Sequence, residues 1–393
     1  MDLTFSESEE QFRSEVREWL TVNVPKPALP SGDTAPGFAL HLEWERKLFD
    51  ARYSVVSWPS DLGGRDATLW EWLIFEEEYW LANAPQRVTQ NGIFLLAPTI
   101  FEFGTAEQQR RLLPKMASGE HTWCQGWSEP NAGSDLAGIS SRAVRDASAG
   151  GWRLAGQKTW TTRGAFCTHL FGLFRTEPEA AASGSRPGRH HSMTYFLVEL
   201  DQPGVTVRGV ERLDGDLGFA EVFFDDVFVP DDMVLGGVNE GWSVAMATTG
   251  SERGLTLRSP GRFLATAQRL IELCKERIAS GGARDQAVQD RIVQAWIDAE
   301  AYRWQTFGTV TRLVDGAKSG AESSMVKLFW SELDVRLQEL ALELLGPHAE
   351  LIDGDFAHWM KAYEFALAGP IYAGTNEIQR NVVAERVLGL PRK

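Results

Sequence analysis

The 393-residue chain is poor in cysteine, in clustered basic charge and in long apolar runs, and each shortage removes a class of protein. Its three cysteines, Cys124, Cys167 and Cys274, are odd in number and lack C-x-x-C spacing, so neither a disulfide framework nor a metal site is expected. Lys and Arg number 39 against 54 Asp and Glu, a net charge of −15, and no basic block exists to hold a phosphate backbone. Nucleic acid and anionic membrane are therefore not expected partners. The most apolar stretch, Gly92 to Phe101, is about ten residues long and is broken by Pro98, against the roughly 20 that span a bilayer. The N-terminal MDLTFSESEEQFRSEV is acidic and has no basic flank or apolar core of a secretory signal, which leads to the expectation of a cytoplasmic protein. There is also no G-x-G-x-x-G after a strand, no G-x-x-x-x-G-K-[ST], no H-E-x-x-H and no G-x-S-x-G, so nicotinamide, P-loop, zincin and hydrolase readings lack their usual support.

What remains is an ordinary folded composition, 43% apolar and 24% charged, at a length that predicts two or three domains. Phe12, Val16 and Leu20 lie four apart, and Leu73, Phe75, Tyr79 and Leu81 recur near helical spacing, so the first part reads as helices cut by Pro and Gly. After about residue 120 the pattern changes to short aromatic or β-branched runs: 152–154, 170–174, 194–200, 205–210 and 219–224. A Gly, Pro and Ser-rich stretch, Glu177 to His191, reads as a surface loop between two of them. Helical periodicity then returns in a stripe of Phe263, Leu264, Ala267, Leu270, Ile271 and Cys274, continued by Ile292, Trp296 and Ala299 and by Leu337, Leu340 and Leu344. The expected fold class is α+β, with an N-terminal helical domain (1–121), a middle β domain (122–235) and a C-terminal helical bundle (236–393). Fifteen Trp and 21 Phe suit either a flat aromatic ligand or large helix interfaces.

One segment stands out at the entry to the β domain, Trp123-Cys124-Gln125-Gly126-Trp127-Ser128-Glu129-Pro130-Asn131-Ala132-Gly133-Ser134-Asp135. Gly126 and Gly133 permit close backbone approach, and the hydroxyls of Ser128 and Ser134 can bond a polar ring edge or a phosphate. By composition alone it reads as a plain turn between helix and strand. The run WCQGWSEPNAGSDLAG, however, resembles the signature of the acyl-CoA dehydrogenase family, flavoenzymes that desaturate acyl thioesters. Four further segments resemble that family in the same order: Phe103-Gly104-Thr105 with Leu113-Pro114 to Gly119-Glu120, Gly156 to Thr162, Phe224 to Pro230 with Asn239 to Trp242, and Ile371 to Arg380.

The resemblance implies bound FAD, with Trp127 and Ser128 near the pyrimidine edge and Ser134 where cofactor and thioester approach. It implies Trp160 and Thr162 near N5, Thr375 and Glu377 in a flavin-contacting stretch, and Gly346 where a neighbouring subunit reaches the adenosine half. Pro347 and Glu343 depart from the family's common residues there. The family's reaction needs a base for the α-proton, and here the common Tyr-Glu-Gly-Thr carries Ala373 in place of the acid. A minority of members carry the base before an Arg earlier in the C-terminal domain, and Ser251-Glu252-Arg253-Gly254 matches, which makes Glu252 the candidate base and Arg253 a substrate-binding neighbour. A lone Glu beside Arg is otherwise an ordinary surface pair.

The function implied is FAD-dependent conversion of an acyl-CoA, or acyl-carrier-protein, thioester to the trans-2-enoyl thioester, with electrons leaving to an electron-transferring flavoprotein. A homo-tetramer, or a heterotetramer with a paralogous subunit, is implied as well. Alternatives are a partner-dependent, non-catalytic subunit and a flavin monooxygenase on the same fold. His190-His191 reads as a solvent loop rather than a metal site, and Cys124 as a buried small side chain rather than a nucleophile.

Overall fold

The computed structural model describes residues 4–176, 190–252, 259–281, 285–317, 320–351 and 353–391, with the backbone alone at 251 and 252. Helices α1 (Glu7–Asn23), α2 (Ala35–Asp50), α3 (Leu69–Leu81), α4 (Ala97–Phe103) and α5 (Ala106–Ala117) come first. Three of them start on reciprocal side-chain caps, Ser6 with Glu9, Thr68 with Glu71 and Thr105 with Gln108, which satisfy N–H groups that the first turn leaves unbonded.

The strands follow: β1 (Trp123–Gly126), β2 (Arg142–Asp146), β3 (Gly151–Lys158), β4 (His169–Thr176), β5 (Met193–Glu199), β6 (Val205–Val210), β7 (Phe219–Pro230) and β8 (Val234–Leu235). Among the described residues they form one sheet in the order β6-β7-β3-β2-β4-β5-β8, with β1 also on β4. β1 and β2 run parallel to β4, taking Trp123↔His169 to Gly126↔Gly172 and Arg142↔Arg175, while β5 lies antiparallel to β4. The five sequence runs fall in β3 to β7. β2 and β8 carry no such run: only Ala143 of β2 is buried, and β8 has two residues. Residues 177–189 of the expected loop lie outside the described residues.

After the sheet come α6 (Gly241–Glu252), α7 (Pro260–Ala279), α8 (Gln286–Val314), α9 (Ser323–Leu345), α10 (Ala357–Ala366) and α11 (Asn376–Val382). The helical, β, helical order places the chain in the three-domain class. No helix among the described residues is long and apolar enough to cross a membrane.

By compactness the chain divides into two units, one of Lys26–Asp66 and Pro85–Glu252, the other of Met1–Pro25, Ala67–Ala84 and Arg253–Lys393. The first holds the sheet with α2, α4, α5 and α6. The second gathers α1 and α3 with the later helices, and buried charge explains the grouping. Glu77 and Glu78 on α3 are buried, and Arg13 and Arg17 of α1 donate to Glu78 at 3.0 and 2.8 Å while Arg303 of α8 donates to Glu77 at 2.5 Å. Burial pushes the Glu78 carboxyl up, but hydrogen bonds from Arg17 and Arg13 outweigh it and hold the group below the usual range. At Gly261 a side chain would sit 2.8 Å from the Glu76 carbonyl oxygen, so glycine permits the start of α7 to approach α3.

The stripe Phe263, Ala267, Leu270 and Cys274 joins Ile292, Ala299, Leu337 and Leu340 in one core. Leu81, 55% exposed, and Trp296, 40% exposed, depart from the expected apolar faces. On α8 the core face is set by Ile292, Ala295, Ala299 and Tyr302, and a residue one position past Ala295 is turned about 100° away from it.

Candidate active site

In the sheet-bearing unit, the signature leaves β1 and folds round a buried acid. Glu129 accepts from Ser140 N (2.6 Å), Ser140 Oγ (2.8 Å), Ser141 N (2.9 Å) and Lys158 Nζ (2.8 Å). Burial would raise its pKa, but the Lys158 charge and these donors more than offset that and hold it at about 2. Glu129 thus pins both ends of the loop that carries Ser134, which is itself exposed, and the adjacent Gly133, which has open space where a side chain would be. Neither Glu129 nor Lys158 was singled out from the sequence, because their pairing spans 29 positions.

Ser128 accepts from Thr159 N at 2.9 Å through its carbonyl, which ties the signature to the turn after β3. That turn presents Trp160 at φ +59° with 62% of its surface exposed, its ring edge-on to Phe219 at 5.6 Å. Thr161, buried, exchanges backbone bonds with Ala220 at 3.1 and 3.0 Å, and Thr162 beside it is half-buried. Arg163, also at positive φ, donates to Asp33 Oδ1 at 2.5 Å, and Arg212 donates to the other oxygen. Burial raises Asp33, yet the two guanidinium groups dominate and keep it below the ordinary carboxylate range. The turn is therefore clamped from beneath. Trp127 is buried with its ring edge-to-face on Tyr195 at 6.2 Å, and its indole N–H has no hydrogen-bond partner among the described residues.

These features fit a flat ring with a polar edge. A large exposed indole held on left-handed backbone costs strain and lacks burial, both of which a stacked ligand would recover. Trp127, Ser128, Trp160 and Thr162 belong to two turns joined by one backbone hydrogen bond, and the sequence reading had selected all four.

α6 is seated on β5 by a close approach at Gly241, where a side chain would lie 2.8 Å from the Thr194 backbone, and by the buried Val244, Ala245 and Thr248. Asn239 N donates to Thr194 Oγ1 at 2.9 Å just before the helix. Glu252 is the last residue of α6, and its side chain lies outside the described residues, as does all of Arg253.

In the helical unit, Ala373 has φ +56° and its carbonyl accepts from Gln379 Nε2 at 2.8 Å. Thr375 caps α11 by accepting from Ile378 N at 3.3 Å, while the buried Asn376 accepts from Lys327 Nζ at 2.8 Å. Glu377 is exposed, and its own backbone N–H, then the Thr375 hydroxyl, hold its carboxyl below the usual range. Gly346 ends α9 at φ +53° and ψ −130°, a conformation open to glycine alone.

Of the residues set aside earlier, His190 lies against Trp242 with ring centroids 4.2 Å apart and planes tilted by 50°. Cys124 is fully buried, and burial, then the adjacent Cys167 thiol, pushes its thiol well above the usual range, which suits a core side chain.

The fold and the paired turns define a three-domain class in which one sheet lies between helical segments of the sequence. The chain matches the acyl-CoA dehydrogenase N-terminal domain over residues 6–120, the middle domain over 124–227 and the C-terminal domain over 239–388. It belongs to the acyl-CoA dehydrogenase family of flavoprotein oxidoreductases. Acyl-CoA dehydrogenase IpdE1 of Mycolicibacterium smegmatis is 40% identical over 400 residues, covering 98% of this chain and 98% of that protein. The IpdE1 of Mycobacterium tuberculosis is 38% identical over 391 residues with the same coverage. Among solved structures, the ChsE4-ChsE5 complex from Mycobacterium tuberculosis has a chain that is 27% identical with a TM-score of 0.84, all of both chains being covered.

Proposed function

We propose that this chain binds FAD and oxidises an acyl-CoA thioester to the trans-2-enoyl thioester, with Glu252 removing the α-proton. The observation that carries the reading is at residue 373. The family's common acid is replaced there by a methyl group, so a chain active by itself needs a carboxylate from elsewhere, and Glu252 ends a helix packed on the sheet that carries the Trp127 turn. When bound, FAD would supply the acceptor for the β-hydrogen with its electron pair. Trp127, Ser128, Trp160 and Thr162 would hold the ring, Thr375 and Glu377 are further candidates for cofactor contact, Gly346 is the candidate for contact with the adenosine half bound by a neighbouring subunit, and Ser134 and Arg253 are the candidates for thioester contact. A Glu at its ordinary pKa is ionised at neutral pH, and water exclusion by an acyl chain raises its basicity towards that of the α-carbon. Electrons would then pass to an electron-transferring flavoprotein, and the working form would be a homo-tetramer or a heterotetramer with a paralogous subunit.

Purification of the chain alone tests this. A yellow protein whose flavin bleaches anaerobically with an acyl-CoA, and whose Glu252→Gln variant keeps flavin but turns over at least roughly a hundredfold more slowly, supports the reading. Unchanged turnover in that variant overturns the role of Glu252. Ala373 also motivates a second reading, a subunit active only with a partner, as does the likeness to a chain of the ChsE4-ChsE5 complex. A colourless chain that gains flavin and activity only when co-purified with a second subunit would favour it.

A further inference from the structure

A buried hydroxyl chain runs from the centre of β5 to the helix that ends at Glu252. Tyr195 Oη lies 3.3 Å from Thr248 Oγ1 on α6, and Thr248 Oγ1 lies 2.9 Å from Thr99 Oγ1 on α4. Thr99 donates in turn to the Leu95 carbonyl at 3.1 Å, at the end of a π-helical turn spanning Asn91–Leu96. Tyr195, Thr248 and Thr99 are all sealed from solvent. Thr248 Oγ1 also donates to the Val244 carbonyl one turn back on α6 at 3.1 Å, so its single proton serves that carbonyl or a neighbouring hydroxyl while its lone pairs are open to Tyr195 and Thr99. Such a chain fixes both the height and the rotation of α6 against two other elements, which apolar packing alone does less sharply.

The ring of Tyr195 has a separate task. It stacks on Phe171 at 6.1 Å and meets Trp127 edge-on, so one side chain touches the Trp127 turn with its ring and the α6 helix with its hydroxyl. Residue 252, the last of α6, follows Thr248 by one helical turn of backbone.

We propose that Tyr195, acting through Thr248, is a positioning residue for the Glu252 base: its hydroxyl sets the register of α6 relative to the Trp127 turn. The proposal rests on the reading of Glu252 as the base. General-base catalysis needs hydrogen-bond reach, and displacement by about 1 Å costs large factors in rate.

The test separates the hydroxyl from the ring. Tyr195→Phe keeps the contact with Trp127, so flavin content, flavin spectrum and the KM for acyl-CoA should stay within about twofold of the parent, while kcat falls about tenfold or more. Proton abstraction is read alone by α-hydrogen exchange into D2O with an acyl-CoA that has no β-hydrogen, and it should slow by the same factor. Thr248→Val should match Tyr195→Phe, Thr248→Ser should restore the rate, and the double variant Tyr195→Phe with Thr248→Val should be no slower than either, since they cut one chain. Parent exchange rates in Tyr195→Phe, with exchange lost in Glu252→Gln, would overturn the positioning role and leave the base assignment standing. Exchange untouched in Glu252→Gln would overturn the base assignment itself, and the positioning role with it. A uniform loss of flavin and thermal stability in Tyr195→Phe, with kcat per bound flavin unchanged, would assign the hydroxyl to folding and also overturn the proposal.

Discussion

The Lys158 ammonium donates to Glu129 at 2.8 Å and to the Leu173 carbonyl at 2.6 Å, with no solvent access to its side chain. The pair joins the loop of the signature to the end of β3, so the turn bearing Trp127 and the turn bearing Trp160 rest on one buried charge contact. It holds together the two turns proposed to bind the flavin ring.

Lys158→Met should therefore do two things. It strands a buried carboxylate, a loss of about 3–5 kcal/mol by analogy with other broken buried pairs, readable in urea unfolding at pH 7. It should also weaken FAD binding, because the loop it releases carries Ser128 and Ser134. The native carboxyl titrates at about 2, below its ordinary 4.5, so its contribution is present above pH 4.5 and is lost as pH falls towards 2. The gap in stability between the parent and Glu129→Gln should close over that window, and a gap independent of pH would refute the assignment.

His169 supplies a second acid-sensitive element. It stacks on His121 at 4.1 Å and lies tilted against Trp123 at 4.5 Å, and burial, then the two neighbouring basic groups His121 and Lys115, push its pKa from 6.5 down to about 3. The unfolded chain binds a proton that the folded one refuses, so stability falls as pH drops from about 6.5 towards 3. His169→Phe keeps the stacking and removes the titration. Its urea midpoint should decline less between pH 7 and pH 4 than that of the parent; parallel declines would count against this account.

Trp160 is exposed, so its removal should cost the folded chain little. For Trp160→Ala we expect apo stability within about 0.5 kcal/mol of the parent, as for other surface substitutions. FAD affinity should nevertheless fall about 2–10-fold, the scale of one lost aromatic contact of about 0.5–1.5 kcal/mol. Fluorescence titration against thermal unfolding separates the two. Equal loss in both would mean that the indole serves the fold rather than a ligand.

Local signals carried a large part of this protein. Apolar spacing marked α1, α7 and the strands β3 to β7, and the signature turn with its partner after β3 brought to notice four candidate residues that lie in adjoining turns. Those signals work because helix and strand periods, and the turns between them, are written within a few neighbouring residues. β2 escaped because only Ala143 of its five residues is buried, so Arg142 to Asp146 carries no apolar run, and Leu81 and Trp296 were misjudged because one position on a helix decides which way a side chain faces.

Spacing and composition marked the helical, β, helical order of the fold, and the resemblance of five segments to a known family implied which turns would hold a flavin and that an acid is missing at residue 373. Folding in space chose the partners: Lys158 for Glu129, Arg163 and Arg212 for Asp33, and Tyr195 with Thr99 for Thr248. Those pairs are separated by 29 to 179 residues. A charge or hydroxyl is worth placing in the interior only opposite its complement, and which complement arrives there depends on the packing of whole elements, about which no single stretch of chain carries the information.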